Sequence, residues 1–499
     1  MEKVNDIRLL LAVLAPLIGA GLVMASGKRP NVREAFSFLA AAVLFGINAS
    51  MIPAVLHGQG KLLHFTLFQL FPATATSTGL SIALRADALS MVFALSASFL
   101  WVLTVFYSAG YMRGLEEHAQ TRFNTCFALA LFGAIGCAFS DNLLTLYLFY
   151  EIVSICTYPL VAHHQDEQGY ESGKKYLTYL TATAKGLVLP AMVLIYVLSG
   201  SLDFATNLHT GIIPPSVHHG VVAALYACCI LGFAKNAVMP FHNWLPSAMV
   251  APTPVSALLH AVAVVKVGVF STVRVMLYVF GTDMMRDLNL GLPTAYFVSF
   301  TIVVGSIIAL SKDDLKARLA YSTVSQLSYV ILGVALLTDA GIQGGVIHIA
   351  NHAFSKITLF FCAGAIYVAT HKKKISEMSG LGRVMPFTFG AFALASLSMI
   401  GAPPVAGFVT KWYLLNGAWD AHSLAIIGVL LASTLLNAAY FAPVVYQGFF
   451  GKRPESDAKH NFTEAHPALV VPLTVTAVIS VLIGLYPAFF MRFVQHLFT

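Results

Sequence analysis

Apolar residues run along this chain in blocks of about 18 or more, parted by short polar segments, which is the length a helix needs to cross a bilayer. Fourteen such blocks fall at approximately 8–25, 35–56, 86–108, 122–139, 142–161, 176–199, 221–247, 252–279, 293–310, 318–338, 344–370, 385–415, 421–449 and 468–491. They lack the two-residue alternation of barrel strands. Since lipid tolerates only helices or closed barrels, the pattern predicts an all-α polytopic membrane protein with about 14 transmembrane helices and no soluble domain between them. The run from Leu9 to Met24 follows a charged start, as a signal peptide would, but Lys28-Arg29-Pro30 comes next without a small-residue cleavage site, so a retained first helix is expected.

Two blocks carry breakers at depth. "GFAKNAVMPFHNWLPSAMVAPTPVS" places Lys235 five residues before Pro240, and "MIGAPPVAGFVTKWYLL" sets Gly401, Pro403, Pro404 and Gly407 just ahead of Lys411. Breakers there free backbone groups that only a protein-lined wet cavity is expected to satisfy, as in the discontinuous helices of transporters. Lipid-facing kinks are the alternative, but they would still have to house two charges. Two discontinuous helices five spans apart suggest two inverted five-helix repeats. The expected segments are 1–110 (helices 1–3), 122–279 (helices 4–8), 293–449 (helices 9–13) and 468–499 (helix 14).

Composition agrees: 58% of the 499 residues are hydrophobic and only 10% are charged, too few to cover a soluble globule of this size. A pI near 9.0 invites a nucleic-acid reading, but the basic residues sit in short loops, where positive charge sets orientation, and no nucleic-acid partner is expected. Loops after odd-numbered helices hold seventeen Lys and Arg, including Lys28, Arg33, Lys316, Arg318 and Lys459, against six on the other side. That bias predicts odd loops in the cytoplasm and both termini outside, on the periplasmic side of a cell (inner) membrane. Cys126, Cys137, Cys156, Cys228, Cys229 and Cys362 all lie in apolar segments without CxxC or Cys/His spacing, so neither disulfide nor metal centre is expected.

Of 29 basic residues, six remain inside proposed spans: Lys185, Lys235, Lys266, Arg274, Lys356 and Lys411. Each such charge costs about 2.5–3.5 kcal/mol at a helix centre, so a chain that keeps several is using them. Arg274 is expected to snorkel from its helix end. For the others a packing ion pair or a snorkelling lysine is the plain alternative, and Lys185 is close enough to an interface to reach it. One acid answers deep in a span: Glu151 in the fifth helix, with Tyr147, Ser154 and Tyr158 on its face. A buried acid and a buried lysine favour charge when paired and neutrality when parted, which makes a proton switch.

In "VIHIANHAFSKITLFF", His348, His352 and Lys356 recur at i, i+4 and i+8 and drift only about 80° over about 12 Å, forming one polar ridge. Such a ridge suits a hydrated proton relay. Two histidines at i, i+4 also suit a metal, but no acid lies nearby in sequence and a lysine opposes a cation; satisfied core histidines are the other alternative.

These stretches, with "LFYEIVS", "AKNAVMPFHNWLPSAMVAPTPVSALLHAVAVVKVGVF", "LKARLAYSTVSQLSYVILG" and "IHIANHAFSKITLFFCAGAI", resemble the proton-translocating antiporter-type subunits shared by respiratory complex I, Mrp multisubunit cation/proton antiporters and membrane-bound hydrogenases. The resemblance spans helices 4 to 13. It implies that Glu151 and Lys235 pair to gate a proton path, that His260 and Lys266 form the eighth-helix motif, that His348, His352 and Lys356 are the central relay, and that Lys411 is its terminal residue. Six residues put His260 and Lys266 about 120° apart on a regular helix, so both face one axis only with a bend or water. The chain ends at Thr499 without the lateral helix of the distal complex I subunit, and Lys411 stands where the middle one has glutamate; both resemble the D-type subunit of Mrp antiporters best. The resemblance therefore implies a transporter subunit, not an enzyme, moving protons in exchange for Na+ beside other membrane subunits. A proton-pumping subunit of a complex I-like or hydrogenase complex, or one energising an uptake complex such as inorganic-carbon accumulation, is the alternative. A passive scaffold for a redox partner would instead lose its buried charges without loss of transport. No flavin, nucleotide or iron–sulfur motif is present, and no cofactor is expected.

Overall fold

The computed structural model describes residues 2–58, 60–74, 77–453 and 463–498; Lys459, counted above among the basic loop residues, lies outside the described residues. Helices α1 (Arg8–Ala25), α2 (Pro30–His57), α3 (Ala88–Gly114), α4 (Gln120–Ala138) and α5 (Leu143–Val161) are continuous. So is the run from Glu167 to Ser199, in which α6 (Glu167–Thr183) and α7 (Leu189–Ser199) are joined through a π turn at Ala184–Val188. The first interrupted block holds α8 (His219–Gly232) and the short α9 (Trp244–Ser247). Next come a π segment at Val255–Ala263 that runs straight into α10 (Val264–Val275), a π turn at Met276–Phe280, and α11 (Thr282–Asp287). Then follow α12 (Gly291–Leu310), α13 (Leu315–Ala335), α14 (Asp339–Thr370), the second interrupted pair α15 (Pro386–Ile400) and α16 (Ala406–Asp420), α17 (Leu424–Phe450), α18 (Pro467–Leu485) and α19 (Ala488–Gln495).

Eleven helices among the described residues are long and apolar enough to cross a membrane. The other three expected blocks differ for visible reasons: two are the interrupted pairs, and α13 is diluted by Ser322, Ser325, Gln326 and Ser328, all buried. Arg33, Lys316 and Arg318, assigned above to loops, sit in the first turns of α2 and α13.

The expectation of an all-α chain needs correction. Three strands, β1 (Glu2–Asn5), β2 (Lys61–Phe71) and β3 (Leu80–Ala86), make a sheet of order β1-β2-β3, parallel between Glu2 and Lys61 and antiparallel between Leu63 and Ala86. The segment "KLLHFTLFQLF" is aromatic-rich and partly alternating, which suits a pleated surface lying outside the apolar blocks. Lys3 Nζ and His64 Nε2 meet Asp141 at 2.8 and 3.1 Å, tying the sheet to the loop between α4 and α5.

Arg274 does not snorkel. It is fully buried and makes a two-pronged contact with Asp87, at 2.5 and 2.9 Å, while Arg85 approaches the same carboxylate at 3.1 Å. Asp87 is the N-cap of α3 and its capping box with Ser90 fixes the carboxylate. A guanidinium cannot shed its proton, so a buried one must find a carboxylate.

At the centre run Val255–Phe280, wholly buried, and α14, buried along 83% of its most apolar stretch. Close packing there depends on Gly268, where a Cβ would stand 2.1 Å from the Asn236 nitrogen and the Lys235 carbonyl carbon. Backbone cannot yield as a flexible side chain can. Gly268→Ala should therefore destabilise the protein by at least the roughly 1–3 kcal/mol of ordinary overpacking. Gly186→Ala, where a Cβ meets nothing within 4 Å, should leave the melting temperature of the detergent-solubilised protein unchanged.

Candidate proton-transfer site

The first interruption forms where α8 ends at Gly232. One 3-10 turn follows at Ala234–Asn236, Ala237 is left-handed (φ 55°) and the Met239–Pro240 peptide is cis. Protein groups, rather than a wet cavity alone, satisfy much of the freed backbone. Lys235 N–H donates to Tyr150 Oη (3.1 Å), Met239 N–H to Thr301 Oγ1 (3.2 Å) and Val238 N–H to Asn236 Oδ1 (3.0 Å), while Ala234 O accepts from Trp244 Nε1 (2.9 Å). The turn aims the Lys235 side chain at α5, where Nζ donates to Ser154 Oγ (2.6 Å) and Tyr150 O (2.8 Å) and lies over the Tyr150 ring.

Glu151 lies between those two partners in sequence, half-buried, with Oε1 enclosed and without a hydrogen-bond partner. No ion pair within 4.0 Å joins it to Lys235 among the described residues, so the amine rests on Tyr150 and Ser154 in this conformation. Lys185 sits on the π turn between α6 and α7 and is exposed on the side of the bundle.

The π segment supplies the bend that His260 and Lys266 required, because i→i+5 bonding changes the angular step along the helix. It does not bring the two together. His260 is buried with neither ring nitrogen hydrogen-bonded, near the Tyr176 and Trp244 rings at 6.1 and 6.3 Å. Lys266 Nζ instead lies 2.5 Å from His352 Nδ1 on α14.

From His352 the ridge continues as drawn from the sequence. The His352 and His348 rings are 5.5 Å apart, and His348 Nδ1 is 3.2 Å from Thr410 Oγ1 on α16. The Nε2 atoms of both histidines are buried without partners. Lys356, one turn further, turns to α13 and donates to Ser322 Oγ (2.7 Å), which also accepts from Tyr440 Oη (3.0 Å).

The second interruption repeats the chemistry of the first. α15 stops at Ile400, Gly401 is left-handed (φ 87°), the Pro403–Pro404 peptide is cis, and α16 starts at Ala406. Lys411 Nζ donates to the free carbonyl of Ile400 (2.5 Å) and to Thr434 Oγ1 (2.7 Å). Gly407 N–H is taken by Ser398 Oγ (2.9 Å), itself 2.6 Å from Ser355 Oγ.

Lys235, His260, Lys266, His348, His352 and Lys356 are thus at most 3% exposed and Lys411 8% exposed. None of them takes part in an ion pair among the described residues. Their partners are hydroxyls, carbonyls and one another. Sequence reasoning found the bases but missed Ser322, Thr410, Thr434 and Tyr440; the only signal for them is the unusual polarity of α13 and the hydroxyls in otherwise apolar helices.

A polytopic helical bundle with two interrupted helices, each holding a buried lysine, and a lysine–histidine series between them defines a membrane protein built around exchangeable protons. Residues 140–437 match the family described as NADH:quinone oxidoreductase/Mrp antiporter, TM, and residues 73–124 match that described as NADH-Ubiquinone oxidoreductase (complex I), chain 5 N-terminus. The chain belongs to this family and is one of its proton-translocating membrane subunits. It is 32% identical to NADH-quinone oxidoreductase subunit L of Mycobacterium tuberculosis over 95% of this chain and 74% of that one. It is 30% identical to a probable K(+)/H(+) antiporter subunit of Rhizobium meliloti over 96% of this chain and 47% of the relative. Its fold matches a chain in the structure of the Mrp complex from Dietzia sp. with a TM-score of 0.85 at 21% identity, covering 98% and 96% of the two chains.

Because a positioned proton-transfer group contributes about 10²–10⁴-fold, His352→Gln, which keeps hydrogen bonding but does not titrate near neutral pH, should slow proton flux at least about tenfold in sealed vesicles. Lys356→Ala should be as severe and Ser322→Ala milder. Normal flux in His352→Gln, read with a pH dye, would leave that histidine a packing residue.

Proposed function

We propose that the chain is the proton-translocating subunit of a multisubunit monovalent cation (Na+)/H+ antiporter of the Mrp kind, embedded in the cell membrane with other membrane subunits and both termini outside. The observation that carries this is Lys411: a lysine, not a carboxylate, closes the second interruption, seated on the Ile400 carbonyl and Thr434. The antiporter relative aligned across 96% of this chain supports the same reading. In it Glu151 and Lys235 gate entry, Lys266, His348, His352 and Lys356 carry the proton across the middle with His260 beside them, and Lys411 releases it; Lys185 adds a charge near the gate. Waters complete the series at the unpartnered nitrogens of His260, His348 and His352, since an unmet buried polar atom costs about 1–3 kcal/mol. The matching interruptions at Lys235 and Lys411 support two five-helix repeats, 122–279 and 293–449, between segments 1–110 and 468–499.

The second reading, a proton-pumping subunit of a redox complex, is favoured by the 32% identity to a complex I subunit across 95% of this chain. The two separate in vesicles carrying the assembled complex. The antiporter reading expects an imposed Na+ gradient to drive proton movement without an electron donor; movement only on adding a donor supports the redox complex. Within either, Glu151→Ala should abolish coupled transport with assembly intact, and Glu151→Asp should keep part of it. Lys411→Ala should block transport and Lys411→Glu should damage it less; equal and complete loss in both shows that a fixed positive charge is required there.

A further inference from the structure

At the end of the bundle that carries the Lys- and Arg-rich loops, the turn between α3 and α4 meets the turn between α5 and α6. Glu117 comes from "GLEEHAQ", where Glu116 and Ala119 are left-handed (φ 52° and 49°) and fold the turn back on itself. Its Oε2 faces three imidazoles: His163 Nε2 at 3.7 Å, His164 Nδ1 at 3.6 Å and His118 Nδ1 at 4.0 Å. The donor atoms of Glu117, His118 and His163 all lie within 4.8 Å of one another.

We propose that Glu117, His118, His163 and His164 form a binding site for a divalent transition-metal ion of the Zn2+ type, outside the proton-transfer series. His163 carries the argument. It is fully buried, yet neither of its ring nitrogens is hydrogen-bonded, and Nε2 is aimed into the cluster. Burial first, and then the neighbouring His118, His164 and Arg122, hold its pKa down at about 3, so the ring is the neutral form that a metal needs. Ring stacking alone would leave the nitrogens in any direction, whereas here one nitrogen of each imidazole points to a single carboxylate oxygen.

Metric demands are modest. Zn–N and Zn–O bonds of about 2.0–2.2 Å put tetrahedral ligands about 3.3 Å apart, so the contacts to Glu117 close by well under an ångström. His118 and His164, with side chains 48% and 37% exposed, have the freedom to close the shell. Arg122 is the opposing charge; its Nη2 donates to the His163 carbonyl (2.8 Å), which turns it to the backbone and fixes the residue that points inward. One carboxylate and three neutral imidazoles lower the charge of a divalent ion to a net of about +1 and suit borderline metals over Ca2+ or Mg2+.

Glu117 and His164 also line a cavity of about 390 Å³ that reaches Lys316 and Asp166, so a bound cation would stand at its rim. The test is binding, which does not depend on how the chain is coupled to transport. The full chain in its complex, carried without a polyhistidine tag, is titrated with Zn2+ and, for the spectrum, with Co2+. One equivalent should bind with the intense visible absorption of tetrahedral Co2+. His118→Ala, His164→Ala and Glu117→Gln should each weaken it at least about tenfold. The first two change exposed side chains, and unchanged assembly and melting show that the fold is kept. No retained equivalent in the unmodified chain, or one whose affinity none of the three variants alters, overturns the site.

Discussion

Seven bases stand in the middle of an apolar bundle with no carboxylate in ion-pair contact, and the rest of the structure is arranged around that fact. The contrast with Arg274 shows why it is tolerated. Arg274 is equally buried, cannot release its proton, and is met by Asp87 on two prongs with a capping box behind it. Lysine and histidine have another way out: without an anion they shed the proton and remain as neutral donors and acceptors. Hydroxyls such as Ser154, Ser322, Thr410 and Thr434 are sufficient partners for that state. A site satisfied in its neutral form and chargeable when an anion approaches is what proton transfer needs, and Glu151 is an acid beside Lys235's partners with an unmet oxygen.

Both helix interruptions serve this arrangement through the backbone. A continuous helix keeps its carbonyls for itself, whereas the last carbonyls of a helix end are free. Lys411 takes one of these from Ile400. At the first interruption the roles are divided: Tyr150 accepts from the backbone of the turn while its own carbonyl receives the lysine. The turns fit because neighbours lack side chains where they approach, Gly268 against Lys235 and Asn236, and Gly484 against Pro404 and Val405.

Much of this was legible in the sequence because the costs are large and local. A lysine in an apolar run and a proline in a helix both stand out, so the bases and both interruptions were found from residue types alone. What was not legible depends on contacts between distant segments. Asp87 and Arg274 are 187 positions apart, and nothing near either announces the other. The sheet escaped because its strands lie between the apolar blocks, where a membrane reading looks for loops. The π segment before Lys266 was signalled only as a contradiction, two residues that a regular helix could not turn to one axis. The structure turns them to different neighbours, His260 to Tyr176 and Trp244 and Lys266 to His352.

That separation bears on how a proton crosses the centre. Lys266 and His352 make the one direct base-to-base hydrogen bond in the series, at 2.5 Å, and it joins the wholly buried Val255–Phe280 run to the ridge of α14. On one side of it the ridge continues through two unpartnered imidazole nitrogens to Thr410; on the other the way to Lys235 passes Gly268, where the backbones are too close for any side chain. The half of the series near Glu151 is therefore closed by packed backbone and the half near Lys411 is open to hydrogen-bonding small molecules. Charge that reaches Lys266 is held there until the contact between α10 and the first interruption loosens, which places control of the path in the backbone packing at Gly268 as much as in any titrating side chain.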